Sequence, residues 1–531
     1  MSDYDAIVIG AGHNGLAAAA VLAKAGLKVL TLEKNSYVGG MAATVELFKG
    51  FKHDIGAGTL CPLSEQIIQD LELEKYGLDC IETPIMSTNL SELGEKPFIM
   101  YSDELKLAEH VIRDHGEDAL QGLAGMFEYC RTAGAYLDRF TPLSPPRYLR
   151  SLVDAAPNDE IKDILRKCLF GSAMDLINQF FPNPERHKVI RALMAFMAVH
   201  STYRGPFSPG SALVMAYGLA TAPGGQIFRH IKGGMGMLSE GLRRSIEENG
   251  GEVRVKNPVK RIVVENGKAV GVELRTGEGI TADVVLSNLD AVATFIRLTG
   301  EEYLPADFVR KVKGIDNRGT HLQILVTLRE LPEFVGDFAF MNEEGMRAGF
   351  SIFQSPEHFE ECWDACKWGR VPESPSLGFQ IPSVWDDTLA PPGYHAGTIF
   401  SMYFPCTAPR DQHGRLKDEM ADKIIDKLNR YAPNFRESII DKAVFAPLHY
   451  EAMFGCTGGD FTHGLFHPEQ MLDFRPVVGW TEYKTPIENL YLCGSACHPG
   501  PGVTFIPGYN SAHEVLKTWP KKRSGHKTMV T

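Results

Sequence analysis

The feature that most constrains this chain is Gly10-Ala11-Gly12-His13-Asn14-Gly15, a G-x-G-x-x-G run between two apolar segments. Tyr4 to Ile9, just before it, is short and rich in branched residues, which predicts a buried parallel strand. Asn14 to Ala25 is Ala/Leu-rich and punctuated by Gly26, which predicts a helix, and Lys28 to Leu32 predicts a second buried strand ending at Glu33. Together they read as one βαβ unit of the dinucleotide-binding kind. In such a unit Gly10 permits the tight turn and Gly12 lets backbone amides approach a pyrophosphate. Gly15 lets helix and strand pack closely, and the helix N-terminus, with Asn14 in its first turn, favours the anion. Glu33, 18 residues after Gly15, is placed to accept ribose hydroxyls and would repel a 2′-phosphate. The hexad alone does not separate FAD from NAD.

At 531 residues, the chain is too long for one ordinary core, so a cofactor lobe and a substrate lobe are expected. A formal net charge of -12 argues against a nucleic acid partner, which needs a basic face. Ten cysteines form no disulfide framework or zinc spacing. The closest pairs, Cys362/Cys366 and Cys493/Cys497, read as reduced thiols of a cytoplasmic protein. Functional sequence starting at Tyr4 leaves no room for a targeting peptide, and no apolar run reaches spanning length. Peripheral contact with a membrane stays open, as does the oligomeric state. The histidines lack a metal-ligand pattern, so no metal is expected, and no G-x-S-x-G elbow supports hydrolase chemistry.

Further along, Ser64 to His200 has a mostly helical pattern, and Gly233-Gly234-Met235-Gly236 opens an amphipathic helix over Leu238 to Glu248. Glu252 to Val255 and Ala282 to Ser287 read as strands, and Asn266-Gly267 as a hairpin turn. Alternating segments between Gly300 and Pro468 suggest an antiparallel sheet with one helix at Leu416 to Tyr431. Leu490 to Gly494 reads as a final buried strand, and Ser511 to Trp519 as the closing helix.

Several segments fall in the order found in one family. Glu33-Lys34-Asn35-Ser36-Tyr37-Val38-Gly39-Gly40 resembles the second FAD signature of the amine oxidase and phytoene desaturase superfamily. Met41 stands where most relatives have arginine, a departure compatible with the phytoene dehydrogenase-related branch. Phe51 to Thr59, including Gly58 and Thr59, resembles the segment under the flavin, and Val259 is placed like the residue whose backbone touches adenine. Asn489 to Val503 resembles the C-terminal flavin motif, with Gly494, Gly502 and Val503 along it, while Phe505 stands where glycine is frequent.

The resemblance implies an α/β fold: a Rossmann-like FAD-binding lobe of the glutathione-reductase type with an interleaved α+β substrate lobe. The expected division gives residues 1–105, 225–300 and 470–520 to the FAD lobe, 106–224 and 301–469 to the substrate lobe, and 521–531 to a flexible tail. It implies an FAD-dependent oxidoreductase acting on a hydrophobic, isoprenoid or polyene-like small molecule, with C–C desaturation as the leading reaction. Saturation, cis–trans isomerisation, ketolation and alcohol or amine oxidation stay open on the same scaffold. The competing class is a non-catalytic isoprenoid-binding chaperone resembling Rab GDP-dissociation inhibitor. His463, Arg475 and His498, close upstream of or within the C-terminal motif, are the candidate catalytic residues, with capping or backbone hydrogen bonding as the competing role for each.

Overall fold

The structure, a computed structural model, describes residues 2–59, 63–138, 140–200, 202–219, 229–343 and 345–519. The domain boundary expected at 225 and the tail at 521–531 lie outside the described residues.

Tyr4–Ile9, Val29–Leu32 and the intervening helix His13–Lys24 form where the glycine pattern puts them. The helix is buried along Asn14 to Ala23, and its run of alanines lets neighbours approach on every side. These strands lie in a seven-stranded sheet. Its parallel part runs Glu252–Arg254, Val29–Leu32, Tyr4–Ile9, the C-terminal half of Gly279–Ser287, then Leu490–Leu492. The N-terminal half of Gly279–Ser287 continues antiparallel into the hairpin Val259–Glu265/Lys268–Leu274. The helix Ile506–Thr518 packs on the first helix so closely that a Cβ on Gly508 would sit 1.9 Å from the Asn14 carbonyl oxygen. This is a Rossmann-like dinucleotide-binding fold, with ligand space at the carboxyl ends of the parallel strands.

A second seven-stranded sheet runs Ile439–Phe445, Leu322–Leu328, His395–Ser401, Leu377–Gln380, Gly349–Phe353, Ile85–Ser91 and Phe98–Tyr101. All its pairs are antiparallel except Gly349–Phe353 with Ile85–Ser91. One face is apolar, with Ile324, Val326, Phe379 and Ile399 packed under Leu416, Met420, Ile424 and Leu428 of the helix His413–Tyr431. The opposite face carries Gln323, whose amide donates to the Asp54 carbonyl, so this face meets the first lobe. Helices Glu117–Leu137, Asp159–Phe170, Ala173–Phe180, Lys188–Val199 and Ser211–Leu219 share a separate apolar core. Among the described residues no helix is long and apolar enough to cross a membrane.

Two expectations need correction. The stretch after Ser64 is not helical throughout: Ile85–Ser91 and Phe98–Tyr101 are strands of the second sheet, although the expected division put residues up to 105 with the FAD lobe. Thr88, Asn89 and Ser91 are buried polar residues that hide the strand's apolar character, and the Asn89 amide is satisfied by the Phe98 carbonyl at 3.1 Å. The closing helix begins at Ile506, five residues before Ser511. Pro507 sits in its first turn, where no backbone N–H is needed.

Candidate FAD site

The site begins at the carboxyl end of Tyr4–Ile9. Gly10 takes φ +92°, a left-handed conformation that glycine adopts freely. A Cβ on Gly15 would fall 2.1 Å from the Gly10 carbonyl oxygen, so the helix can lie on the strand only with glycine there. Gly12 caps the helix with extended backbone (φ -70°, ψ 163°), and a Cβ would come within 2.7 Å of Asn288 Nδ2. The helix therefore presents bare backbone amides at its positive end.

Glu33, exposed to only 6%, accepts the Ala11 amide at 2.9 Å and the Asn35 amide at 2.8 Å. Each carboxylate oxygen keeps lone pairs for a ribose hydroxyl. Gly39 donates its amide to the Ala11 carbonyl at 2.7 Å, and the Gly40 backbone lies against Gly12, a Cβ there falling 3.3 Å from the Gly12 Cα. Lys34 turns away, its ammonium donating to the Ala452 carbonyl, and so fastens this loop to the second lobe. Met41 contributes its backbone: its carbonyl accepts the Ala57 amide at 2.8 Å. A Cβ on Gly58 would be 2.8 Å from Gln380 Oε1, which brings the segment ending at Thr59 against the second sheet. Val259 opens its strand two residues after Asn257, whose amide donates to the Glu33 carbonyl. The Gly233–Gly236 turn is held by Asp54 and Thr44, which accept the Met235 and Gly236 amides.

The C-terminal motif closes the cradle. A Cβ on Gly494 would lie 2.6 Å from the Asn288 carbonyl oxygen. Asn14 donates to Ser495 Oγ at 3.3 Å, while its own Oδ1 is buried without a partner. Gly502, Val503 and Phe505 all have positive φ, at 133°, 53° and 63°. Phe505 thus holds backbone that glycine adopts more easily, and its buried ring stands edge-on to His13, centroids 5.8 Å apart. Asn288 was not singled out from sequence. No local sequence signal marks it: its place beside the carboxyl end of Tyr4–Ile9 comes from the pairing of Gly279–Ser287 with that strand.

Of the three catalytic candidates, His463 lies close enough to His13, at the helix start, for its charge to act on that ring. Its Nε2 lies 3.6 Å from Cys456 Sγ, and its Nδ1 is buried with no partner. Burial lowers its pKa although Asp290 and Asp460 pull the other way. Burial, with the charge His463 would carry, lowers that of His13 to about 4, and His13 Nε2 is likewise buried and unpartnered. Arg475 is a clamp: its buried guanidinium donates to the carbonyls of Ser495, Gly464, Gln470 and Thr462. It thereby ties the 462–470 loop to the C-terminal motif. His498 is buried, and its carbonyl accepts the Tyr483 hydroxyl at 3.1 Å. Three further histidines have structural contacts: His467 meets the Pro209 carbonyl, His449 accepts the Ala446 amide, and His513 packs on Tyr509.

Burial holds His13, His200 and His358 down to about 4 and His321 to about 3. In the unfolded chain these imidazoles take up protons near pH 6.5. Their stabilising effect is therefore complete above about pH 6.5 and is lost as pH falls toward 4, by up to about 1.4 kcal/mol per pH unit each. Asp54, pushed up to about 6 by burial, opposes this over the lower part of the window. The expected outcome for the apoprotein is a lower urea midpoint at pH 5 than at pH 7; equal midpoints would contradict the burial of these rings.

Strand-end glycines, the buried Glu33 carboxylate and the returning C-terminal loop define the class: a protein with a dinucleotide cradle at the carboxyl ends of its parallel strands. The chain matches the model of the flavin containing amine oxidoreductase family over residues 15–514 and belongs to that family. It is an FAD-dependent oxidoreductase. It is 30% identical to "Pyridine nucleotide-disulfide oxidoreductase domain-containing protein 2" of Rattus norvegicus, covering 97% of this chain and 94% of that one. It is 27% identical to a chloroplastic prolycopene isomerase of Daucus carota over 97% and 80% of the two chains. It is 26% identical to a lycopene-forming phytoene desaturase of Paracoccus sp. over 95% of each. Among solved structures, an oxidoreductase from Methanosarcina mazei shares the fold with a TM-score of 0.62 at 16% identity, over 97% of this chain and 100% of that one.

The residues fit FAD on grounds internal to the fold. The cradle at Gly12 would be filled by a Cβ, Asn14 Oδ1 and His13 Nε2 are buried without partners, and Glu33 keeps acceptor capacity.

Proposed function

We propose that this enzyme dehydrogenates a C–C bond of a hydrophobic, isoprenoid or polyene-like substrate. The observation that carries the reading is the buried, uncharged character of the side chains at the start of the cradle helix. Phe505 and His13 are in ring contact there with His463 near His13, burial favours the neutral form of both imidazoles, and the nearby carboxylates are spent, Asp460 on Thr462 and Gly464 and Asp290 on Ala293 and Thr457. A cationic amine would find no free carboxylate in this group to offset its desolvation, whereas an apolar chain loses nothing on entering. The relatives that act on carotenoid polyenes support the substrate class.

When bound, FAD accepts a hydride at N5. This chain's residues would orient the substrate, exclude water and take the second hydrogen as a proton. His463 suits that last task, since burial lowers its pKa, a neutral imidazole has one nitrogen free to take a proton, and its buried Nδ1 has no partner. Gly10, Gly12, Asn14 and Gly15 would hold the pyrophosphate, Glu33 the ribose, and Gly494 to Val503 the flavin end. Arg475 acts as a positioning residue through Ser495, and no reacting role is assigned to His498.

The test is anaerobic mixing of holoenzyme with polyenes, isoprenoid alcohols and amines, with NAD(P)H alongside, while following the oxidised-flavin absorbance. Bleaching by a polyene, with a product two hydrogens lighter, is expected; bleaching by amines alone would overturn the reading. His463→Gln is expected to slow polyene-driven bleaching by about a hundredfold with FAD retained. An unchanged rate would remove His463 from the chemistry.

A further inference from the structure

At the end of the helix Lys188–Val199 the chain turns through His200, whose ring meets His321 edge-on, centroids 5.3 Å apart. His321, 5% exposed, precedes the strand Leu322–Leu328 and also packs edge-on against Phe461 at 4.9 Å and Phe400 at 5.8 Å. Phe196 stands 5.5 Å from His200. Two imidazoles are thus enclosed by three phenyl rings. His200 Nδ1 and Thr202 Oγ1 are shut off from solvent, and neither has a hydrogen-bond partner among the described residues. A small cavity reaches Thr202 and is lined also by Tyr203, Arg318, Thr320, Asp460 and Phe461, while His200 and His321 stand behind this lining, His321 against Phe461 and next in sequence to Thr320. Phe461 lies one residue before Thr462, whose carbonyl is clamped by Arg475 to the C-terminal flavin motif. The polar spot and the cradle therefore share one loop.

Buried polar atoms left unpaired are costly, and side chains that only fill a core do not need them. A neutral imidazole offers one donor and one acceptor, and a threonine hydroxyl offers both. Burial holds both rings neutral at physiological pH. Arg318 lines the same cavity, but Asp316 accepts from its Nε and one terminal nitrogen at 2.8 and 2.5 Å, so it is not free for an anion.

We propose that His200, His321 and Thr202 bind a neutral oxygen function, a hydroxyl or carbonyl, on the otherwise apolar substrate. The inference rests on the hydrophobic-substrate reading above and narrows it: the substrate is an oxygenated isoprenoid, held by its oxygen at the cavity while a carbon farther along the chain reaches the flavin.

The experiment is a tryptophan-fluorescence binding titration of holoenzyme with four C20 probes: geranylgeraniol, its aldehyde, its carboxylic acid and the parent hydrocarbon. The alcohol or the aldehyde is expected to bind about tenfold tighter than the hydrocarbon. Thr202→Val and His321→Phe, which keep shape and remove the polar atoms, should bring oxygenated probe and hydrocarbon to equal affinity. Thr202→Val should leave thermal stability equal or higher, because a buried unpaired hydroxyl is replaced by a methyl group. Equal affinities in the wild type, a preference that survives both substitutions, or tightest binding of the acid would overturn the proposal. If FAD and the hydrocarbon still bind in those cases, the hydrophobic-substrate reading stands and only the oxygen site falls. If no probe binds the wild type, both fall.

Discussion

Gly12→Val is expected to give a folded protein that no longer retains FAD. The backbone at Gly12 is extended and open to a branched residue, and the nearest atom to a new Cβ, at 2.7 Å, is Asn288 Nδ2, the end of a side chain that can turn aside. The fold can absorb the change. The cofactor cannot, because the branched side chain would stand over the amides that a pyrophosphate must approach. Losing two charge-assisted hydrogen bonds weakens binding by roughly a hundredfold or more. The measurement is flavin content after gel filtration, with circular dichroism as the control for folding. Full flavin occupancy in the variant would place the pyrophosphate elsewhere. Gly15→Val is a different case: its Cβ would meet the Gly10 carbonyl at 2.1 Å, so folding itself should fail.

Arg475→Met is expected to lower both stability and flavin retention. The guanidinium serves the carbonyls of Ser495, Gly464, Gln470 and Thr462. Removing it takes the side-chain donor from the carbonyls of Ser495, Gln470 and Thr462, while Gly464 keeps the Thr462 hydroxyl, at a cost of roughly 3 kcal/mol or more. Because Ser495 belongs to the C-terminal motif, the cradle loosens with the loop. Arg475→Lys should recover part of both losses, since an ammonium reaches fewer carbonyls and lacks the planar fork. Thermal denaturation and flavin content separate this role from catalysis. An Arg475→Lys variant with normal melting and full flavin, but no turnover, would show that the side chain works on the substrate instead.

These cases also mark what could be read from the sequence. The cradle's first half was legible because its logic is local: glycines, helix start and Glu33 lie within 24 residues and each type answers one demand of the turn. Asn288 was not, because it reaches Gly10 from 278 positions away and asparagine after a strand signals nothing by itself. Arg475 was legible as a position near the C-terminal motif but not as a clamp, since its partners are carbonyls, which every residue has. Ile85–Ser91 was hidden by Thr88, Asn89 and Ser91, polar residues that a strand buries only when neighbouring elements satisfy them. The unpaired His200 and Thr202 atoms depend on packing between the second sheet and the helical layer, which no local pattern records.

Everything proposed for the substrate side depends on the cradle, so the most direct measurement is of the cofactor itself. The protein purified without added flavin, denatured and analysed for released nucleotide, is expected to be yellow and to yield intact FAD at about one equivalent per chain. A colourless protein that also rejects added FAD would contradict the account and favour a binding protein without redox chemistry.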